Sequence, residues 1–287
     1  MVQALRDLYF KRANGEVPAF RRVIIETTGL ADPAPIMHTL IEMPLVAARY
    51  SLSGIVTTVD AEHGGHQLDE HAESVKQAAV ADRIVITKTD RVPAATAAAL
   101  RARLANLNPG AVVLEAVNGA MDSSRLFDTG LYQPGSKAPD VRKWLAAEAY
   151  RPVSTGNSLT ALPQAAARHD DRIRAFAVIL DTPVSWPSMV EALETLTEMR
   201  GAQLLRIKGI INVAGEDRPR AIHAVQHTIY PVAQLPAWPD DDRRTRLVFI
   251  TRDLNEAFVR DIMASFLDPQ AAGGAAAGKS RITPLAA

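Results

Sequence analysis

An acid followed by a glycine-containing loop lies near the start of the chain, in VIIETTGLADPAP (Val23 to Pro35). The β-branched residues Val23 to Ile25 favour a strand buried on both faces of a parallel sheet, with Glu26 at its carboxyl end. Open α/β sheets bind ligands at that edge. In a P-loop nucleotide hydrolase such an acid holds Mg²⁺ through water, and the glycine, here Gly29, contacts the γ-phosphate. The alternative is a core strand that ends in a solvated glutamate.

A second polar group, Thr87-Lys88-Thr89-Asp90, follows the β-branched run Ile84 to Ile86. In GTPases the acid of such a loop accepts hydrogen bonds from guanine N1–H and the exocyclic amine, a donor pair that adenine lacks. The Lys88 stem can lie along the base while its ammonium stays hydrated. Alone, the four residues would be an ordinary polar loop. Their place after a strand, about sixty residues beyond ETTGLADP, favours a guanine site.

A Walker-type sequence, GGAAAGKS, occurs at Gly273 to Ser280. Phosphate binding by this pattern needs a strand before it and a helix after it, so that backbone N–H groups face the phosphates. A predicted helix and Asp268-Pro269 precede it here, and a short tail with Pro284 follows. We interpret residues 271 to 287 as a flexible Ala/Gly tail and not as a P-loop.

Histidines and acids are concentrated after the strand that ends at Asp60. Imidazoles and carboxylates can supply nitrogen and oxygen ligands to Zn²⁺ or another divalent ion. Their spacing matches no compact metal site, so a solvated loop is the favoured interpretation. The residues concerned are Glu62, His63, His66, Glu70, His71 and Glu73.

The composition is that of a globular protein, with 47% apolar and 22% charged residues. Lys plus Arg and Asp plus Glu number 32 each, which gives no global charge that favours nucleic acid or a membrane as partner. No apolar run is long enough to span a bilayer, and the N-terminus does not resemble a signal peptide. The absence of cysteine excludes disulfides and thiolate metal ligands. We expect a cytoplasmic protein.

Strands alternate with helices in the first part of the chain, which predicts a parallel sheet with covered faces. An amphipathic helix is expected within residues 1 to 20. The predicted strands after Val23 to Ile25 are 54–59, 84–86 and 111–114, and the predicted helices are 36–43, 75–81 and 93–105.

The pattern weakens over residues 118 to 171, where one short helix is expected around Val141 to Ala147. The second part then predicts a strand, a helix, several strands and a helix, a small α+β domain of split βαβ type. Ser185 is a candidate cap for its first helix. The predicted strands are 174–180, 204–213, 220–228 and 246–251, and the predicted helices are 186–199 and 256–267.

These motifs, taken together, resemble the CobW-type GTPases, a family of nucleotide-dependent metal chaperones and metal insertases. The resemblance covers most of the chain in the family's order. The stretches that carry it are ETTGLADPAP, SGIVTTVDA (Ser53 to Ala61), VKQAAVADRIVITKTD (Val75 to Asp90), LNPGAVV (Leu107 to Val113), LLRIKGIINV (Leu204 to Val213), Trp238 and RLVFITRDL (Arg246 to Leu254).

The resemblance implies a GTP-binding and GTP-hydrolysing metallochaperone that delivers zinc or cobalt to a client metalloprotein. Glu26 would organise Mg²⁺ through water, and Gly29 would register the γ-phosphate. Thr87, Lys88 and Asp90 would bind the guanine of GTP or GDP, with Thr87 in the place where the family more often has Asn. His169-Asp170-Asp171 resembles the family's entry into its C-terminal domain. Whether the chain forms a homo-oligomer is left open.

The chain departs from the family at its start, because only residues 1 to 22 precede the predicted strand. We therefore expect an α/β, P-loop NTPase-like parallel sheet with the first strand and P-loop missing, joined to a smaller α+β C-terminal domain. The family's metal-binding cysteine motif would lie in the missing part. The expected boundaries are 1–120 for the partial GTPase domain, 121–171 for a linker, 172–270 for the C-terminal domain and 271–287 for the tail.

The missing P-loop leaves a competing hypothesis, a non-catalytic fragment that acts only as a protein-binding module. GTP hydrolysis is therefore an open question at this stage. In the C-terminal domain we expect Trp238 to pack in the small core and several basic residues to lie on a solvated sheet face. A partner-docking surface is the alternative for these residues, which are Arg206, Lys208, His223 and His227.

Overall fold

The computed structural model describes residues 1–127 and 172–267. The first range contains seven helices, and the second contains two. The helices are α1 (Val2–Ala13), α2 (Pro33–Glu42), α3 (Pro44–Ala47), α4 (Gly64–Glu70), α5 (Ala72–Val80), α6 (Ala94–Leu107), α7 (Ser124–Phe127), α8 (Trp186–Arg200) and α9 (Glu256–Leu267). No helix within these two ranges is both long and apolar enough to cross a membrane.

The predicted parallel sheet forms the centre of the first range, with three of the four expected strands. Its strands are β1 (Val56–Asp60), β2 (Arg83–Thr87) and β3 (Val112–Ala116), in the order β1-β2-β3. The register pairs Asp60 with Thr87 and Thr87 with Ala116, so the carboxyl ends of all three strands are aligned. Leu100 and Leu104 of α6 and Ala78 and Ala79 of α5 are buried beside the sheet.

The predicted strand at Val23 to Ile25 is wrong. These residues belong to no helix or strand and pair with no strand among the described residues, and Ile24 is 75% exposed. A β-strand is stable only when its backbone groups are hydrogen-bonded to a neighbour and its side chains are covered. The β-branched residues have a high propensity for strand, but no neighbouring strand among the described residues pairs with them. Glu26 therefore follows an open segment.

The second range forms an antiparallel sheet, in the order β4-β9-β5-β6-β7, with β8 also paired to β6. Strand β9 lies between β4 and β5 and is antiparallel to both, so the β4-α8-β5 unit is a split βαβ unit, as predicted. The bounds are β4 (Ile173–Leu180), β5 (Leu204–Ile211), β6 (Arg220–Val225), β7 (Thr228–Ile229), β8 (Ala233–Gln234) and β9 (Thr245–Arg252).

Helices α8 and α9 cover one face of this sheet. Met189, Leu193 and Leu196 of α8 are completely buried against Phe249 of β9. Ser185 occupies the N-cap position of α8, but its side chain makes no capping hydrogen bond, so the expected cap is not formed. Trp238 packs against a small cluster, as predicted, and its indole N–H donates to the carbonyl of Asp217 at 2.9 Å.

The other face of the antiparallel sheet packs against the parallel domain. Leu205 and Ile250 belong to the same apolar cluster as Ile84 and Ile86 of β2. At the edge of this contact, the guanidinium of Arg206 donates to Asp82 and to the carbonyls of Val80 and Ala81.

The prediction of a solvated basic face is therefore wrong for three residues. Arg206, Lys208 and His223 are 2%, 5% and 6% exposed, because the first domain covers them. Lys208 Nζ donates to Asp82 at 2.8 Å, and the His223 ring stacks on Tyr230 with 4.3 Å between centroids. His227 alone of the four basic residues is exposed.

Three expectations concern residues outside the described ranges: the helix around Val141 to Ala147, the segment His169-Asp170-Asp171 and the GGAAAGKS tail. The linker and tail boundaries also stay predictions.

Candidate nucleotide site and adjoining carboxylates

An open cleft of about 1000 Å³ lies between the segment at residues 22–30 and strand β1, and both line it. Glu26 and Gly29 lie on the first wall, and both are exposed. Thr87, the last residue of β2, and Lys88, which follows it, also line the cleft. The structure thus brings the two predicted nucleotide-binding groups to one cleft at the edge where open α/β sheets bind ligands.

The loop that carries Gly29 is held by side chains of α5. Gln77 Nε2 donates to the carbonyls of Gly29 and Ala31 at 3.0 and 2.8 Å. Lys76 Nζ donates to Asp32 Oδ2 at 2.7 Å, while Asp32 Oδ1 accepts from Ala34 N at 3.0 Å and caps α2. The position of the Gly29 loop therefore depends on a few specific hydrogen bonds.

Asp32 also connects this loop to the C-terminal domain. Gln226, in the turn between β6 and β7, lies close enough to its carboxylate to help lower the pKa of Asp32. Burial acts to raise the pKa of Asp32, but the hydrogen bonds from Lys76 and Ala34, the charge of Lys76 and the nearby Gln226 amide outweigh it and lower the pKa. Asp32 is therefore a charged junction between the cleft loop, α5 and the second domain.

The loop after β2, which carries the predicted guanine-binding residues, contains a residue with positive φ. Thr87 ends the strand, and Lys88 then adopts a left-handed conformation with φ of +58°. The short turn Thr89–Arg91 follows and carries Asp90 in an exposed position. Asp90 lies just outside the residues that line the cleft. Lys88 and Asp90 are both exposed, and Lys88 lies at the rim of the cleft beside Asp60.

Asp60 is a site residue that the sequence reasoning did not assign. It ends β1 beside Lys88, whose ammonium donates to Asp60 Oδ2 at 2.5 Å. Burial acts to raise the pKa of Asp60, but hydrogen bonds from Lys88 and from the backbone N–H of Glu62, together with the Lys88 charge and the nearby His63 ring, lower it overall. An acid at the carboxyl end of a buried strand was the available signal, the same one that selected Glu26.

The histidine-rich segment does not form one metal site. His66 Nδ1 lies 3.6 Å from Glu70 Oε1 on α4, in a pair of its own. His63 instead lies beside Glu62 and Asp60, and the three residues each offer one ligand atom within 4.8 Å of the others. The structure thus brings together a small part of the segment with an acid from β1.

The chain is similar over most of its length to metal-chaperone proteins. A family model described as the CobW/HypB/UreG nucleotide-binding domain matches residues 1–115, and one described as the cobalamin synthesis protein cobW C-terminal domain matches residues 173–267. The zinc chaperone YjiA of Escherichia coli (strain K12) is 31% identical over 261 residues, which cover 91% of this chain and 75% of the relative. The zinc chaperone CobW of a Sinorhizobium species is 26% identical over 263 residues, with 83% and 69% covered.

The fold is also shared with a solved structure of YjiA. That structure is a Zn(II)-bound triple mutant of the YjiA GTPase in which one glutamate and two cysteines are replaced by alanine. Its TM-score is 0.71 at 29% identity, with 92% of this chain and 76% of the other covered.

The fold and these matches define the class, a P-loop GTPase-like nucleotide-binding domain followed by an α+β domain of the cobW C-terminal type. The chain belongs to the CobW/HypB/UreG family of metallochaperone GTPases.

Proposed function

We propose that this protein binds GTP and GDP and delivers zinc to a client metalloprotein in the cytoplasm. The observation that carries the proposal is that Glu26, Gly29, Thr87 and Lys88 line one cleft. Two relatives named as zinc chaperones favour zinc over cobalt as the metal delivered.

The guanine end of the nucleotide would lie over the loop after β2. The exposed carboxylate of Asp90 can accept from guanine N1–H and the exocyclic amine, which adenine cannot match. The stem of Lys88 would cover the base, and Thr87 would contribute a hydroxyl. The residues present fit this part of the ligand.

The phosphate end would point toward Glu26 and Gly29. An exposed carboxylate suits Mg²⁺, which prefers oxygen ligands and keeps several waters. When bound, the ion would neutralise charge on the phosphates. Glu26 would hold the ion through water, and the Gly29 backbone would approach the γ-phosphate without side-chain obstruction.

Residues 1–127 and 172–267 contain no glycine-rich loop between a strand and a helix N-terminus that could bind the phosphates. This same observation favours a second candidate function, a protein-binding module that does not turn over nucleotide. Without a phosphate cradle, most affinity and nearly all hydrolysis would be lost.

The C-terminal domain would transmit the state of the cleft to the client. Asp32 connects the Gly29 loop to Gln226 of that domain, and Met37 of α2 packs against Val225 and Tyr230. A movement of the Gly29 loop would therefore change the contacts of the β6-β7 turn.

The test is a titration of the chain with fluorescent GDP and GTP analogues in the presence of Mg²⁺, with unlabelled ATP as competitor. Binding that GDP displaces and ATP does not supports the guanine site. Asp90→Ala should then abolish the preference for guanine, whereas Asp261→Ala, which removes an exposed acid from α9, should not. Absence of binding by a folded sample would overturn the GTP proposal in favour of the protein-binding module.

A further inference from the structure

Three side chains of the DAEH sequence converge between β1 and α4. Asp60 ends the strand, and Glu62 and His63 follow in the short connection to α4. One ligand atom from each lies within 4.8 Å of the other two. A histidine with two carboxylates is a common ligand set for divalent transition metals, including Zn²⁺.

The geometry needs only small side-chain adjustments to surround an ion. His63 Nδ1 lies 3.6 Å from Asp60 Oδ2. Ligand atoms around a tetrahedral zinc ion are roughly 3.3 Å apart, given bond lengths of about 2.0 to 2.2 Å. The Asp60 and Glu62 side chains are 19% and 25% exposed, whereas that of His63 is 65% exposed and can rotate toward them.

The two carboxylates already attract cations. Lys88 Nζ is bound to Asp60, and Arg91 Nε lies 3.4 Å from Glu62 Oε1. Neighbouring carboxylates that are both ionised repel each other unless positive charge lies between or beside them. Lys88 supplies that positive charge, and its side chain is 45% exposed. A divalent ion has a higher charge density and can therefore take the place of the Lys88 ammonium at Asp60.

We propose that Asp60, Glu62 and His63 form a cysteine-free binding site for a divalent transition metal such as Zn²⁺, and that the ion displaces the Lys88 ammonium from Asp60. The proposal deepens the metal-delivery function, since it locates where the delivered metal is held. Three protein ligands leave one coordination position open, which suits an ion that must be passed on.

The exchange also places the metal beside the guanine loop. Lys88 is shared between the carboxylate of Asp60 and the rim where the base would lie. When the metal binds Asp60, the Lys88 ammonium is released from its partner at that rim. Metal binding and the Asp60–Lys88 ion pair therefore exclude each other, which predicts opposite effects for substitutions of His63 and Lys88.

The first test is a zinc titration of the nucleotide-free chain against a chromophoric zinc chelator. His63→Ala and Glu62→Gln should each weaken Zn²⁺ binding by at least about tenfold. Loss of a residue that only hydrogen-bonds to a metal ligand already weakens metal binding by about tenfold or more, and these substitutions remove a ligand itself. His66→Ala is the matched control, because His66 is 69% exposed and also lies 3.6 Å from a carboxylate. Equal weakening by His63→Ala and His66→Ala, or no weakening by either, would overturn the site.

The second test isolates the exchange with Lys88. Lys88→Ala should strengthen Zn²⁺ binding by about threefold to fivefold, because an exposed ion pair that competes with the metal is removed. Lys11→Ala removes an exposed positive charge on α1 and should leave the affinity unchanged. Unchanged or weaker zinc binding by Lys88→Ala would exclude the exchange. Neither test uses GTP, so a failed nucleotide titration would leave both results interpretable.

Discussion

The two sheets of this protein are covered to very different extents. All eight residues of β5 are buried, and the strand is paired on both sides, by β9 and β6. Among the described strands, β1 is paired with β2 alone, and its alternate residues Val56 and Thr58 are exposed beside the cleft. The central strand of the antiparallel sheet is therefore covered on both faces, whereas the parallel sheet has an exposed edge strand beside a cleft that a ligand can occupy.

The same contrast holds for two aspartates that each bind a lysine. Asp82 is buried between Arg206 and Lys208 and also accepts from Ile55 N at 2.9 Å. Burial alone would raise the pKa of Asp82, but Lys208 and Arg206 together hold it far below its ordinary value. Asp60 binds Lys88 at an accessible rim. The buried pair joins two domains, and the accessible pair can exchange partners.

The largest effect is expected from breaking the buried pair. Asp82→Ala leaves Arg206 and Lys208 buried with no carboxylate between them, which should lower the free energy of unfolding by about 3 to 5 kcal/mol. Urea denaturation followed by circular dichroism measures this loss. Asp69→Ala removes a carboxylate that binds Arg103 near the surface, where Arg103 also donates to the carbonyl of Gly65, and should cost less than about 1 kcal/mol. Similar losses for the two variants would contradict the contrast between buried and accessible pairs.

The second-largest difference is expected between apolar residues of the two regions, in how much stability each loses when it is replaced by alanine. Leu193 is completely buried in the C-terminal core, so Leu193→Ala should lower the free energy of unfolding by about 2 to 5 kcal/mol. Ile24 is 75% exposed beside the cleft, so Ile24→Ala should change it by less than about 0.5 kcal/mol. The same urea titrations compare the two. A large loss for Ile24→Ala would show that the segment at 22–30 is covered in solution.

The open segment also marks where sequence reasoning failed. Glu256–Leu267 and the other long helices followed from periodicity, because one helix face suffices to identify the core side. Val23 to Ile25 has strand propensity, but a strand also needs neighbours that the local sequence does not specify. Arg206 and Lys208 were assigned to solvent because no local pattern shows that Asp82, which lies 124 and 126 positions earlier, binds them in the folded protein.

The candidate site divides in the same way. Glu26, Gly29, Thr87 and Lys88 were selected from short patterns, and the structure places all four along one cleft. The approach of Asp60 to Glu62 and His63 was not selected, because it depends on how the chain turns after β1.

A smaller effect is expected from the pH dependence of the domain junction. Burial, aided by Arg206 and opposed by Asp82, lowers the pKa of Lys208 from its ordinary 10.5 to about 7. Between these values the unfolded chain binds more protons at this lysine than the folded chain does. The lysine's contribution to the free energy of unfolding should therefore rise from pH 7 to pH 9, by about 1 kcal/mol per pH unit.

Urea titrations at several pH values measure this slope, with Lys208→Met as the comparison. The variant has no charge to lose at this position, so its free energy of unfolding should lack the rise. The measurements stop at pH 9 because the pKa of Tyr230 is raised above its ordinary 10 by burial, which would lower stability at higher pH. An equal rise in the variant would assign the slope to other groups.

The smallest effect should come from the loop that carries Gly29. Gln77→Ala removes both hydrogen bonds to the carbonyls of Gly29 and Ala31 but leaves the Lys76–Asp32 pair in place. Amide hydrogen exchange in residues 29–32 should accelerate by about fivefold, equivalent to about 1 kcal/mol. Gln67→Ala, which removes an exposed glutamine that also lines the cleft, should not change it. Unchanged exchange in Gln77→Ala would mean that Asp32 alone holds the loop, and the connection from the cleft to the C-terminal domain would then depend on that one carboxylate.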